Sequence, residues 1–362
     1  MKFGKTIQDM LREVERQTET RKDYLAETTA LEMVPAEGKG VALAMRGNGT
    51  LPANDIAHRQ IAEHVGIPAK YYDRMKSEAP QLLSNNVNHW FKANPSKRMI
   101  RSLDGNMRAF LSNGFRPLEN FDLCQAVVPV LIEKGMDIVS CEITERRLYI
   151  KAVDKTIQRD IPKGGGKMGD GGHTIFDTCS PACVISNSEV GMGSLSIEGG
   201  MLTKACTNLA FFKQRSMKKY HVGGRHEVGE NIAELLSDQT KRLTDAAVWS
   251  QVRDVVTNIF DAVRFEESLI AVKAMTSQKI EGDPVKAVES VARRFTFNED
   301  EKSAVLRHLI ENADLSRYGI FNAITRTGQD LDSYDRATEF ERMGGEVIEL
   351  ERDAWREIAL AA

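Results

Sequence analysis

The chain reads as an α+β protein: a central antiparallel or mixed sheet with packed helices, a helical N-terminal hairpin and a helical C-terminal region. Three observations predict this. Apolar residues alternate at period two through the middle of the chain, from about residue 98 to 212. Helical periodicity with few strand signals takes over after residue 230. Near the N-terminus, NDIAHRQIAEHVGIPAKYYDRMKSEAP carries the caps and turn residues of two short helices. Strands grouped in one part of a chain and helices in another predict segregated layers, not a doubly wound sheet. The expected divisions are a helical arm at 1–30, an α+β core at 31–228 with the hairpin at 54–77, and a helical region at 229–362 packed on the core.

Composition bounds the classes of function. With 362 residues, 41% hydrophobic and 28% charged, the chain is globular and has room for one large or two ordinary domains. A net charge of −3 excludes a uniformly basic nucleic-acid-coating protein but not a local basic groove. The five cysteines are dispersed, the first residues are charged without an apolar signal core, and no apolar run approaches a membrane span. The expectation is a cytoplasmic protein with free thiols.

Taken in order, residues 5–28 read as one polar helix with a thin stripe of Ile7, Met10, Leu11 and Val14. Residues 40–52 read as a strand and a turn at Gly47-Asn48-Gly49. In the hairpin, Asn54 or Asp55 caps the first helix, Gly66 stops it and Pro68 precedes the second. A helix-turn-helix needs this pattern, and would place Lys70, Tyr71 and Arg74 on its second helix; any tight helical hairpin needs it too. Asp104-Gly105 marks a β-hairpin within residues 98–119. Residues 120–135 form an amphipathic helix, and residues 137–153 alternate as strands. A glycine-rich loop at 162–172 lacks the Gly-Lys-Ser/Thr of a phosphate loop. Strand signals resume at 174–187 and 193–212.

Charge is unevenly spread. Residues 201–225 hold Lys204, Lys213, Arg215, Lys218, Lys219 and Arg225 with no Asp or Glu. Lys92, Lys97, Arg98, Arg101, Arg108 and Arg116 have only Asp104 as a local acid. Residues 299–362, by contrast, carry 15 acids against 8 bases. Basic residues with interleaved aromatics (Phe211, Phe212, Tyr220) suit a groove that binds a single strand by charge and stacking. Cys179 and Cys183, with His173, Cys206, His221 and His226 around them, are a weak zinc pattern, since structural zinc favours closer cysteine pairs. Ser194 lacks a nucleophile elbow. Asn187, Ser188, Glu189 and Asn208 read as residues that hold backbone geometry. No catalytic residue, metal or cofactor is assigned.

Several stretches resemble the phage/plasmid-like protein family, also called domain of unknown function 932. They are QIAEHVGIPAKYYDRM with NVNHWF, MRAFLSNGFRPLEN, ISNSEVGMGSLSIE, KACTN, HVGGR and RYGIFNAITRTGQDLDSYDRATEFERMGG. Together they run over nearly the whole chain, and Arg108, Arg116, Asn187, Ser188, Glu189, Cys206, Asn208, His221 and Arg225 are their motif positions. The resemblance implies a mobile-element protein of DNA replication or recombination. It also implies a distant similarity to non-enzymatic single-strand annealing proteins that assemble as rings or filaments.

The resulting expectation is a single-stranded-DNA-binding homo-oligomer. Its groove would be lined by Arg101, Arg108, Arg116, Lys213, Arg215, Lys218, Lys219, His221 and Arg225. Three alternatives stand beside it: a metal-dependent enzyme built on the Cys, His and Glu groups near 173–226, a duplex reader using the hairpin, and a host-defence antagonist.

Overall fold

The computed structural model describes residues 1–36, 40–162, 176–203, 207–219 and 237–361. The glycine-rich loop lies almost wholly outside them. The observed class is α+β, with every named strand pair antiparallel.

Helix α1 (Ile7–Thr20) is capped by the Thr6 hydroxyl, which accepts from the Asp9 N–H. The chain then turns extended at Arg21 and enters β1 (Lys22–Glu27), so the single helix expected over 5–28 is a helix and a strand. The thin stripe is sufficient because Met10 and Val14 are buried in a shared core with Leu123 and Val127 of α5 (Asn120–Glu133). The first segment is therefore docked and is not a solvated arm.

The N-terminal half builds one core from two small sheets and three helices. Strands β2 (Leu31–Pro35), β3 (Val41–Met45) and β4 (Gly49–Pro52) form one sheet. Strand β1 joins β5 (Lys97–Leu103) and β6 (Asn106–Ser112) in the other. The β5–β6 turn is Asp104-Gly105, with φ of 51° and 77°, the two left-handed residues of a type I′ hairpin. Helices α2 (Asp55–His64), α3 (Ala69–Glu78) and α4 (Pro80–Ala93) cover these sheets. Asn54 caps α2 through the Ala57 N–H, and Gly66 turns the chain at φ +70°. Leu43, Ile61, Leu83, Phe91, Ile100 and Phe110 share the core beneath them.

The large sheet has the order β12-β11-β10-β8-β7, with β9 beside β10. These strands are β7 (Asp137–Ile143), β8 (Leu148–Val153), β9 (Arg159–Pro162), β10 (Phe176–Asn187), β11 (Leu195–Thr203) and β12 (Asn208–Lys219). Successive residues point to opposite faces, and here both faces are buried: Ile150, Cys183 and Ile197 pack against α5 and α6 (Asp238–Asn258). Tyr149, Val184 and Phe211 pack on the other side, with Tyr334 of α11 (Tyr334–Ile348). At Gly345 the helix meets the sheet so closely that a Cβ would lie 1.7 Å from the Phe211 carbonyl oxygen. The remaining helices are α7 (Ala262–Met275), α8 (Pro284–Phe295), α9 (Glu299–Asn312), α10 (Arg317–Asp330) and α12 (Arg352–Ala359). With α11 they enclose a further core around Phe265, Phe321 and Phe340, which reaches the sheet at Met201 and Phe212.

Candidate nucleic-acid interface

Strand β12 carries the basic stretch to the edge of the large sheet, where β11 is its only sheet partner among the described residues. Near its end Lys218 stands opposite Ser196 and Lys219 opposite Leu195, and both lysines are exposed. Neighbours in a strand project to opposite faces, so these two flank the strand end. Lys213 and Arg215 lie earlier on the same strand. His221 and Arg225 are outside the described residues, as are Lys204 and Tyr220. Of the three aromatics expected as stacking faces, Phe211 and Phe212 are not available for it: they are 1% and 3% exposed and belong to the cores on either side of the sheet.

Arg101 takes no part in a surface groove, and Arg108, half-buried, is engaged by Glu189. The Arg101 side chain is fully buried, with Nε donating to Asp23 at 2.9 Å, Nη2 to Glu119 at 2.7 Å and Nη1 to the Glu189 carbonyl at 2.9 Å. Arg108 donates to the Glu189 carboxylate at 2.9 Å, whose other oxygen accepts from the Asn120 N–H at 2.7 Å. Around them, Asn187 donates to the Leu118 carbonyl and to Asn120, and Ser188 donates to the Arg146 carbonyl while accepting from the Met192 N–H. The polar turn after β10 thus does the geometric work expected of it, tying the large sheet to β5–β6 and to the start of α5. Asn208 is likewise held between Asn322 and Gln329. Arg116 is engaged by Asp245 of α6.

The electrostatics of this junction follow from burial. Desolvation pushes the Glu119 carboxyl up to about 7, against the pull of Arg101 and with a push from Glu189. Burial alone would raise Glu189 as well, but Arg108, the hydrogen bond with Glu119 and the Asn120 N–H outweigh it and hold Glu189 low. Burial therefore raises one carboxyl of the pair while the ionic and hydrogen-bond partners of the other hold it low. Glu189 is 6% exposed, so the pair is sealed from a macromolecular ligand.

A second polar layer, absent from the sequence reading, lies between α11 and the sheet. Lys151 and Glu341 form a fully buried ion pair at 2.6 Å, with the Tyr334 ring 4.4 Å from the ammonium. Arg342 reaches Glu198 at 2.8 Å, and the Tyr149 hydroxyl donates to Asp335 at 2.7 Å. The available signal was a charge at an apolar strand position: Lys151 in LYIKAV and Glu198 in LSIEGG.

The metal reading lacks a site among the described residues, where no cluster of three or more His, Cys, Asp or Glu is placed to hold an ion. Cys179 and Cys183 are buried free thiols on β10. Four residue steps along the strand set them roughly 13 Å apart, too far to share an ion. Burial pushes Cys183 up to about 12, and Cys179 also upward. Their proposed companions His173, Cys206, His221 and His226 fall outside the described residues. The helical hairpin offers a nearly neutral surface: Arg59 pairs with Asp73, Arg74 with Glu78 and Lys76 with Asp55. Among the described residues no helix is long and apolar enough to cross a membrane. Compared with models of known families, with curated proteins and with solved structures, the chain matches none.

Proposed function

We propose that this chain is a mobile-element nucleic-acid-binding protein of the single-strand annealing type. It would bind through β12 and the segment after it, without covalent catalysis, and assemble with copies of itself. One observation carries the reading: two exposed lysines close a basic edge strand inside a 25-residue stretch, 201–225, that has six cations and no acid. The sequence resemblance supports the mobile-element setting, and the position of β12 at the sheet edge, with β11 its only sheet partner among the described residues, gives self-assembly a route, since a strand edge is a template for another chain. Arg101 is removed from the contact surface by its burial, and Arg108 and Arg116 by their ion pairs with Glu189 and Asp245. The contact set is then Lys213, Arg215, Lys218, Lys219, His221 and Arg225.

Binding of a labelled single-stranded oligonucleotide, followed by anisotropy across a salt series, tests this. Each neutralised phosphate contributes about 0.7 to the slope of log affinity against log salt. Lys218→Glu with Lys219→Glu is therefore expected to flatten the slope by about 1.4 and weaken binding to all sequences alike. Salt-independent binding, or a double variant that behaves as the parent, overturns the proposal.

A further inference from the structure

A cavity of about 1240 Å³ opens in the helical C-terminal region, between the segment after α7 and helix α12. Its walls are fixed by backbone pairing. The Arg317 N–H donates to the Gln278 carbonyl at 2.8 Å and the Ile280 N–H to the Leu315 carbonyl at 3.0 Å. Just beyond, the Glu281 and Gly282 N–H groups donate to the Ala359 carbonyl at the end of α12. Lys279 is thereby held facing a helix on which Arg352 and Arg356, four residues apart, share one side.

The charges lining this cavity are Lys279, Arg317, Arg352 and Arg356 against Glu281 and Asp353. The excess of cations reverses the sign of its surroundings, since residues 299–362 carry 15 acids and 8 bases. Lys279, Arg352 and Arg356 are exposed, and their side chains make no ion pair or hydrogen bond among the described residues.

Arg317 is different. It is 5% exposed, and its guanidinium donates only to neutral oxygens: the carbonyls of Val347 at 2.8 Å, Ile348 at 3.0 Å and Leu350 at 2.7 Å, and the Gln278 side chain at 3.0 Å. These contacts cap the end of α11 and lock the group in place. They supply dipoles but no carboxylate, so a buried positive charge stands at the cavity wall without a counter-ion among the described residues. An ionic group out of water is favoured when an opposite charge joins it. A smaller cavity of about 530 Å³ meets the first at Gln278, Arg317 and Leu350.

We propose that this cavity is a binding site for a phosphate-bearing ligand of nucleotide size. Lys279, Arg352 and Arg356 hold the phosphates, and Arg317 provides a fixed positive field behind them. The volume is ample for such a ligand, since small-molecule sites are commonly about 300–1,000 Å³. Guanidinium forks and an ammonium converging from two elements suit several phosphate oxygens. The site shares no element with β12, so it stands or falls separately from single-strand binding.

Calorimetric titration of the full chain at low salt, with inorganic pyrophosphate and with ATP as probes, is the test. Similar affinities for both assign recognition to phosphate alone; ATP binding about tenfold tighter adds contacts to the nucleoside, and either result supports the site. Arg352→Glu with Arg356→Glu, and separately Lys279→Glu, are each expected to weaken binding about tenfold or more at an unchanged melting temperature. All three positions are exposed, and the single Lys279 variant decides the matter should the double variant misfold. Absence of heat with both probes up to about 5 mM, a concentration that would still reveal millimolar affinity, overturns the proposal. So does a loss below about threefold in a folded Lys279 variant.

Discussion

Each of the three guanidinium nitrogens of Arg101 donates to a different segment of the chain. Asp23 is 78 residues away, Glu119 is 18, and the Glu189 carbonyl is 88. Removing such a group strands Glu119 in a poorly solvated place and leaves the exposed Asp23 without this partner, and breaking a buried ion pair from one side costs about 3–5 kcal/mol. Arg101→Ala is therefore expected to lose about that much stability in urea or thermal unfolding. Oligonucleotide affinity measured on its folded fraction should be unchanged. A stable Arg101→Ala protein that no longer binds would put Arg101 back in the contact surface. The sequence showed this arginine among cations with a single local acid, which suggested an exposed basic region. Counting neighbours along the chain cannot see partners delivered by tertiary contact, and all three of these are delivered that way. Glu189 was more legible: a polar turn after a strand has few roles besides geometry.

At the scale of elements, what could be read in advance was what local chemistry decides. Asp104-Gly105 defines its hairpin through two left-handed residues, Gly66 and Asn54 delimit α2, and the last third of the chain is helical by its own periodicity. The end of α1 was not readable, because Lys22–Glu27 becomes a strand only by pairing with β5. Nor was the docking of α11 on the sheet, which depends on a buried ion pair rather than an apolar stripe alone. Lys151 and Glu341 make that dependence measurable. Lys151→Met leaves Glu341 charged and alone, and is expected to cost about 3–5 kcal/mol. Pairing it with Glu341→Leu is expected to recover most of the loss, because two apolar side chains of similar volume can replace a buried pair at little cost. A double variant no more stable than Lys151→Met would show that the pair does more than satisfy its own charges.

Across the whole molecule, the N-terminal core of β1–β6 and α2–α4 is distinct from the cores around the large sheet, and the two meet at the Arg101–Glu189 junction. Their responses to acid are expected to differ. His58 is 5% exposed, with Nδ1 3.0 Å from the Tyr72 hydroxyl, and burial lowers it from 6.5 to about 4. His64, in the same core, is lowered by burial and by Arg98. A histidine whose folded value is depressed contributes stability that is present above its unfolded value and lost as pH falls toward the folded one. Between pH 6.5 and 5 His58 alone withdraws up to about 2 kcal/mol from the N-terminal core. Glu119 works in the opposite direction, since its folded value is raised to about 7 from 4.5. Its contribution grows as pH falls through that window, so the junction tightens while the helical hairpin beside it loosens. Hydrogen exchange at matched intrinsic rates should therefore show α2–α4 opening first on acidification, with β8, β10 and β11 still protected. His58→Gln, which keeps an acceptor for Tyr72 without a titrating ring, should remove most of that effect. Exchange rising equally in both halves, or first in the large sheet, would mean that the histidines do not govern the acid response and that the two cores open as one.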